Sequence, residues 1–145
     1  MGERQLRDIL ERFETRVWTE RDPAALDELL AADAVVDGLD TEAQESARAF
    51  DAVRRLLLEQ FDDIRVVIDR SIEEGEWIAA TAAILARHRK SGKDVATRTQ
   101  MMVRIHQGRV VEGHNIIDFM TAFEQIGLLP ERSLDFCLMG RRPRF

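Results

Sequence analysis

Residues 107–130 read QGRVVEGHNIIDFMTAFEQIGLLP, and this stretch decides the fold. Gln107-Gly108 predicts a tight turn, the residues after it a strand, and Phe119 to about Ile126 a short amphipathic helix. Gly127, with Pro130 three residues later, stops that helix. Asp118 stands where strand meets helix, four residues after His114. Side chains two apart on a strand share a face. In a strand without a bulge, Val110, Glu112, His114, Ile116 and Asp118 therefore line one side. An acid and an imidazole on a mostly apolar face are either structural or the chemistry, and that choice governs the functional reading.

Upstream, three further strands are expected. From Ile64 the run Val66, Val67, Ile68 is β-branched, and Glu73-Glu74-Gly75-Glu76 marks a reversal. Trp77 to Arg89 forms the next strand, Ser91-Gly92-Lys93 a turn, and Val95 to His106 another strand. Strands joined this tightly run antiparallel, because a parallel pair needs a longer crossover. The second half is thus a four-stranded meander. Trp77–Arg89 is apolar on both faces, which argues that both are covered. Homodimerisation through the sheet covers the outer one.

The first sixty residues have helical spacing. Leu6, Ile9, Leu10, Phe13, Val17 and Trp18 make one stripe. Asp22-Pro23 restarts a second helix through Leu26, Leu29 and Leu30, before a short apolar run, Ala34 to Val36. Asp37 to Asp40 reads as a turn. Thr41 or a neighbour caps a third helix reaching about Phe61, with Phe50, Val53 and Leu57 on its buried stripe. Helices followed by an antiparallel sheet define an α+β fold, with the N-terminal helices packed in the concave face of a curved sheet. The result is a cone with an apolar pocket. Residues 1–130 form one domain, and 131–145 a C-terminal tail whose apolar part packs over the pocket mouth or on a neighbouring subunit.

Composition narrows the function. The 145 residues are 45% hydrophobic and 33% charged, as in ordinary globular proteins. No apolar run approaches the ~20 residues that span a bilayer, and the charged, helical N-terminus is unlike a signal peptide. The expectation is a cytoplasmic protein with no membrane partner. Cys137 is the single cysteine, so neither an internal disulfide nor a multi-cysteine zinc site is available, and three dispersed histidines form no H-x-x-x-H pair. A net charge of −6 argues against a nucleic-acid partner. The one basic cluster, Arg141, Arg142 and Arg144, is short.

The arrangement resembles the SnoaL-like polyketide cyclases of the nuclear transport factor two-like superfamily. The resemblance covers roughly Leu6 to Pro130. It rests on Trp18, Asp22-Pro23, Leu29-Leu30, Phe61-Asp62-Asp63-Ile64 and Gly108-Arg109-Val110-Val111-Glu112, then Asp118, Gln125, Gly127 and Pro130. It implies a cone-shaped α+β barrel and an aspartate acting as general acid and base, which promotes an intramolecular aldol closure without metal or cofactor. Asp118 matches that position. His114 stands where the family often has tryptophan, and His88 is the nearest match to a histidine on the central strand. The chain has no tyrosine. The oxyanion chemistry of ketosteroid isomerases and scytalone dehydratase, which uses tyrosine hydroxyls, therefore does not transfer. For the Asp–Arg–Asp relay of limonene-type epoxide hydrolases, Asp118 and Arg98 supply only two members.

The candidate catalytic residues are Asp118 and His114. In a dry cone a carboxyl's pKa rises, suiting Asp118 to shuttle a proton. As an N-cap it would instead accept backbone N–H bonds that lower the pKa. His114 is a second proton carrier or a buried neutral imidazole. The candidate substrate contacts are Trp18, Arg98, Gln100, His88 and Met102. Arg98, Gln100, Met102 and Arg104 share one face and Val103 and Ile105 the other, and either face can be concave. Asn115 falls on the face opposite Asp118 and reads as structural. These residues support a cofactor-free acid/base enzyme on a small carbonyl-containing apolar or aromatic molecule, a non-catalytic binding or dimerisation module, or a pocket grown shut. A carboxylate facing a cavity, one turned onto the amides of Met120 and Thr121, or no cavity at all distinguishes the three.

Overall fold

The computed structural model describes residues 5–38 and 47–145. The expected turn beyond Gly38 and the cap at Thr41 lie outside the described residues. Helix α1, Gln5–Glu14, follows the predicted apolar stripe and runs directly into a wider π-helical turn, Thr15–Thr19. The Glu20 amide reaches back to the Thr15 carbonyl at 2.8 Å. That extra residue in the turn lets Val17 and Trp18 both bury behind Leu10 and Phe13. Arg21, in the left-handed region, ends the helix. Asp22 accepts from the Ala24 amide at 2.9 Å and from Arg16 at 2.5 Å, which fixes the turn into α2, Ala25–Leu29.

The second helix stops one residue earlier than its spacing predicts. Leu30 already belongs to strand β1, Leu30–Asp37. The apolar run Ala34–Val36 lies in this strand, with Ala34 and Val36 buried and Val35 half-buried between them. Helix α3, Ala47–Gln60, leads without a connector into β2, Phe61–Glu74. Then follow β3, Trp77–His88, β4, Asp94–His106, and β5, Arg109–Ile117. The sheet order is β1-β5-β4-β3-β2: the predicted meander, with β1 added parallel to β5. Sequence periodicity missed β1 because its inner positions, Leu30, Ala34 and Val36, are interrupted by a register shift before Val35. Leaving β1, the chain passes so close to β5 that a Cβ on Gly38 would sit 1.7 Å from the Asn115 carbonyl oxygen. Only glycine fits there.

Burial identifies the concave face. On β4, Val95, Thr97, Thr99, Met101, Val103 and Ile105 are buried, while Arg98, Gln100 and Met102 are exposed. The odd row packs against the helices. Leu10, Val17 and Ile78 are the large apolar side chains buried most completely, where helix meets sheet. Truncating such a leucine to alanine costs about 2–5 kcal/mol.

A bulge reverses the expected facing of β5. Val103 pairs with Gly113 and Arg104 with Glu112, but Ile105 pairs with Val110, so Val111 is an extra residue. Val110 points into the core. Beyond the bulge the inward residues are Gly113, Asn115 and Ile117, and the outward ones Glu112, His114 and Ile116. The expectation of one continuous even-numbered face is corrected at Val111.

Asp118 initiates α4, Phe119–Gln125, with its Oδ1 accepting from the Thr121 amide at 3.0 Å and its Oδ2 from the Thr121 hydroxyl at 2.6 Å. Gln125 mimics a strand partner: its side-chain oxygen accepts from the Ala96 amide and its amide donates to the Ala96 carbonyl, both at 2.9 Å. Two bonds from one side chain lock α4 across the sheet. In the tail, α5, Ser133–Leu138, buries Ser133 and leaves Leu134, Leu138 and Met139 exposed. No helix among the described residues is long and apolar enough to cross a membrane.

Candidate functional site

Between the helices and the concave sheet face lies a cavity of about 120 Å³. Six aromatic side chains contribute to its wall: Phe13 and Trp18 from the first helical segment, Phe50 from α3, Phe61 from β2, and Phe119 and Phe123 from α4. Several brace one another. Phe50 lies 6.1 Å from Phe13 and 5.9 Å from Trp18 between ring centroids, and Phe119 stacks on Phe123 at 5.7 Å. The sheet wall carries Thr97, Thr99 and Met101 from β4, and Asn115 and Ile117 from β5.

Glu14 is the one ionisable side chain among the described residues of this wall. It is 8% exposed. Burial pushes its carboxyl up to about 7, offset in part by a hydrogen bond with Trp18, whose indole N–H donates. Its position follows from the sequence: Leu10, Glu14 and Trp18 are spaced i, i+4, i+8, so a helix turned to bury the outer two buries the middle one. The signal for Glu14 was present, as a single acid inside an apolar stripe. A reading that counts only apolar positions passes over it.

Three other polar groups reach the cavity, and their existing partners define their capacities. The Thr97 hydroxyl donates to the Asp118 carbonyl at 2.8 Å, which leaves it an acceptor. Asn115 donates one amide hydrogen to the Asp37 carbonyl at 3.1 Å. The Thr99 hydroxyl has only a long contact, 3.5 Å, to the Gln100 carbonyl, so its proton is available to a guest. Asn115, which the undisturbed alternation put opposite the pocket residues, is inside it because of the Val111 bulge.

The residues singled out from the sequence do not converge. Of them, Trp18 lines the cavity. Asp118 lies between two wall residues, Ile117 and Phe119, but is itself exposed and turned onto Thr121. Arg98, Gln100 and Met102 are on the outer sheet face, where Arg98 pairs with Asp69 at 2.5 Å. His88 is buried against Phe61 with Nδ1 2.8 Å from the Ser91 hydroxyl, outside the cavity wall.

His114 is also on the outer face. Its Nδ1 meets Asp37 at 2.8 Å, its Nε2 meets Glu112 at 2.6 Å, and its ring stacks on Trp77 at 6.3 Å. Glu112, and after it Asp37, raise its pKa. With a carboxylate at each nitrogen the ring ties the end of β1 to the middle of β5. No group of described residues has the geometry to hold a metal ion.

Both the sequence pattern and the fold have relatives among known proteins. The sequence pattern of the SnoaL-like polyketide cyclases matches residues 8–126. Wild-type IdmH from Streptomyces antibioticus is similar in structure, with a TM-score of 0.75 and 22% identity, over 85% of this chain and 99% of that one. TsrD from Streptomyces laurentii superimposes with a TM-score of 0.74 at 18% identity, over 89% and 99% of the two chains. A ketosteroid isomerase-like protein from Catenulispora acidiphila DSM 44928, solved in complex with trimethylamine, gives 0.71 at 15% identity, over 83% and 92%. No curated protein matches the sequence. At these identities the structures share the fold, and the family pattern, spanning most of the residues from α1 to α4, shows that the chain belongs to the SnoaL-like polyketide cyclase family.

Proposed function

We propose that this protein is a cofactor-free acid/base catalyst of the cyclase or isomerase type, acting on a small carbonyl-containing apolar molecule, with Glu14 as the proton carrier. The observation that carries this reading is the carboxyl of Glu14, buried in an apolar cavity and titrating at about 7. A base poised near the working pH both accepts and returns a proton efficiently. In the reaction, Glu14 takes a proton from the carbon beside a carbonyl while the Thr99 hydroxyl donates to the oxygen that gains charge. Isomerisation, or attack of the resulting enolate on a second carbonyl of the same substrate, follows according to what the substrate offers.

Asp118 is the competing proton carrier, favoured by its match to the family aspartate. Its bonds to Thr121 instead support a capping role and a non-catalytic binding module. Exchange of a ketone's α-hydrogens with D2O, followed by NMR, separates the readings. Under this proposal Glu14→Gln abolishes protein-dependent exchange and Asp118→Asn retains it. The reverse pattern returns the role to Asp118, and no exchange with any bound ketone leaves the binding module.

The same reading includes a cytoplasmic location and a homodimer formed through the outer sheet face. Ile72, Ala79 and Met102 fall in one cross-strand row there, beside Ile116, which is 77% exposed. Asp69, Arg98, Arg104 and Glu112 give that face both signs of charge, so a second copy can complement it.

A further inference from the structure

We infer that the cavity is shaped for one uncharged six-membered ring bearing a ketone or enone, and excludes fused rings and carboxylate-bearing ligands. The carbonyl rests on the acid/base reading above; the limits on size and charge do not.

Size comes from the volume and stiffness of the walls. Pockets for drug-sized ligands span roughly 300–1,000 Å³, whereas an apolar cavity of about 150 Å³ takes benzene. At about 120 Å³ this cavity belongs with the second. Its walls do not yield readily, because Phe50 is held between Phe13 and Trp18, and Phe119 lies flat on Phe123. Rings already in contact cannot retreat without opening voids elsewhere in a close-packed interior.

Charge comes from where the cations lie. Arg98, the candidate anion anchor, is on the outer face and paired with Asp69. The described wall has no cationic side chain and one carboxyl. A ligand carboxylate would be desolvated beside Glu14 with nothing to neutralise it. Polar capacity sets where a carbonyl binds. The Thr97 hydroxyl proton is committed to the Asp118 carbonyl and one Asn115 amide hydrogen to the Asp37 carbonyl, so Thr99 supplies the free hydroxyl donor and Asn115 a second amide hydrogen. A ring carbonyl oxygen accepts from the Thr99 hydroxyl. In the balanced step, the ring's α C–H bond breaks and its proton goes to the Glu14 carboxylate. That electron pair forms the C=C bond as the carbonyl pair moves onto oxygen, where Thr99 donates. Return of the proton to the same α carbon, or to the γ carbon where the α carbon lies between the carbonyl and a C=C bond, completes the cycle.

The test is NMR titration of the wild-type protein, following the Met101 methyl, with cyclohex-2-enone, 2-tetralone, cyclohexanecarboxylate and tetramethylammonium. Cyclohexenone is expected to saturate with a Kd of about 1 mM, consistent with so few ligand atoms. 2-Tetralone and the carboxylate are expected to bind at least about tenfold more weakly. Met101→Ala enlarges the sheet wall and should recover at least about tenfold of 2-tetralone affinity; Leu57→Ala does the same from α3 if that variant fails to fold. The inference is overturned if wild type binds 2-tetralone as tightly as cyclohexenone, if the carboxylate or tetramethylammonium binds more tightly, or if no one-ring ketone binds by about 10 mM. α-Deuteration in the same samples keeps the two proposals apart. Cyclohexenone that binds without Glu14-dependent exchange removes the proton-carrier role and leaves the size limit standing. Glu14-dependent exchange of 2-tetralone removes the size limit alone.

Discussion

Replacing Glu14 by glutamine tests the buried carboxyl without any substrate. Glutamine keeps the shape and an acceptor for the Trp18 N–H, but cannot ionise. The carboxyl titrates at 4.5 in an unfolded chain and at about 7 in the folded one. At ~1.4 kcal/mol per pH unit, that difference corresponds to about 3 kcal/mol. The sign follows from proton binding. Between pH 4.5 and 7 the unfolded chain has released the proton and the folded one has not. The stability associated with protonated Glu14 is therefore complete below 4.5 and lost as pH rises through about 7. Urea denaturation of wild type and Glu14→Gln, repeated from pH 4 to 9, isolates this effect because every other titration cancels in the difference. The variant should gain on wild type across that window, reaching an advantage of about 3 kcal/mol that stays level above it. A difference that does not change with pH would mean that the carboxyl is solvated, and would refute both its burial and its suitability as a base.

Asp118→Ala should cost about 0.5–2 kcal/mol in the same denaturation assay through loss of the α4 cap, and Asp118→Asn only a fraction of that, since asparagine also caps. The His114 imidazole should titrate above its ordinary 6.5, and Glu112→Gln should bring it down, as followed by NMR of its ring protons. Its stabilising contribution is present below 6.5 and is lost as pH rises through the elevated folded value. Ile116→Lys should convert the expected homodimer to monomer in sedimentation at micromolar concentration while leaving α-proton exchange unchanged, because Ile116 faces away from the cavity.

Local chemistry was enough for most elements and for the family. The glycine turns, the β-branched runs and the Asp118–Pro130 helix each depend on neighbours a few residues away, so periodicity and capping rules find them. The same rules placed the helices before the sheet and predicted the antiparallel order of β2 to β5. They also put Asp118 at a helix start, where the cap geometry is as expected.

What they could not resolve was facing. A single extra residue at Val111 exchanges the two sides of β5, sending His114 outward and Asn115 inward, and nothing in VVEGHNII marks which residue bulges. On β4 both rows are plausible insides until the helices choose one, and that choice carried Arg98, Gln100 and Met102 to the outer surface. Glu14 illustrates the complementary case. Its place on the apolar stripe is written in the sequence, but the burial that raises its pKa exists only once α3, α4 and the sheet close around the helix. The sequence by itself determined most of the elements, their order and the family, because those follow from short-range spacing. Tertiary structure alone decided which acid is dry, because desolvation is the combined effect of residues far apart in the chain.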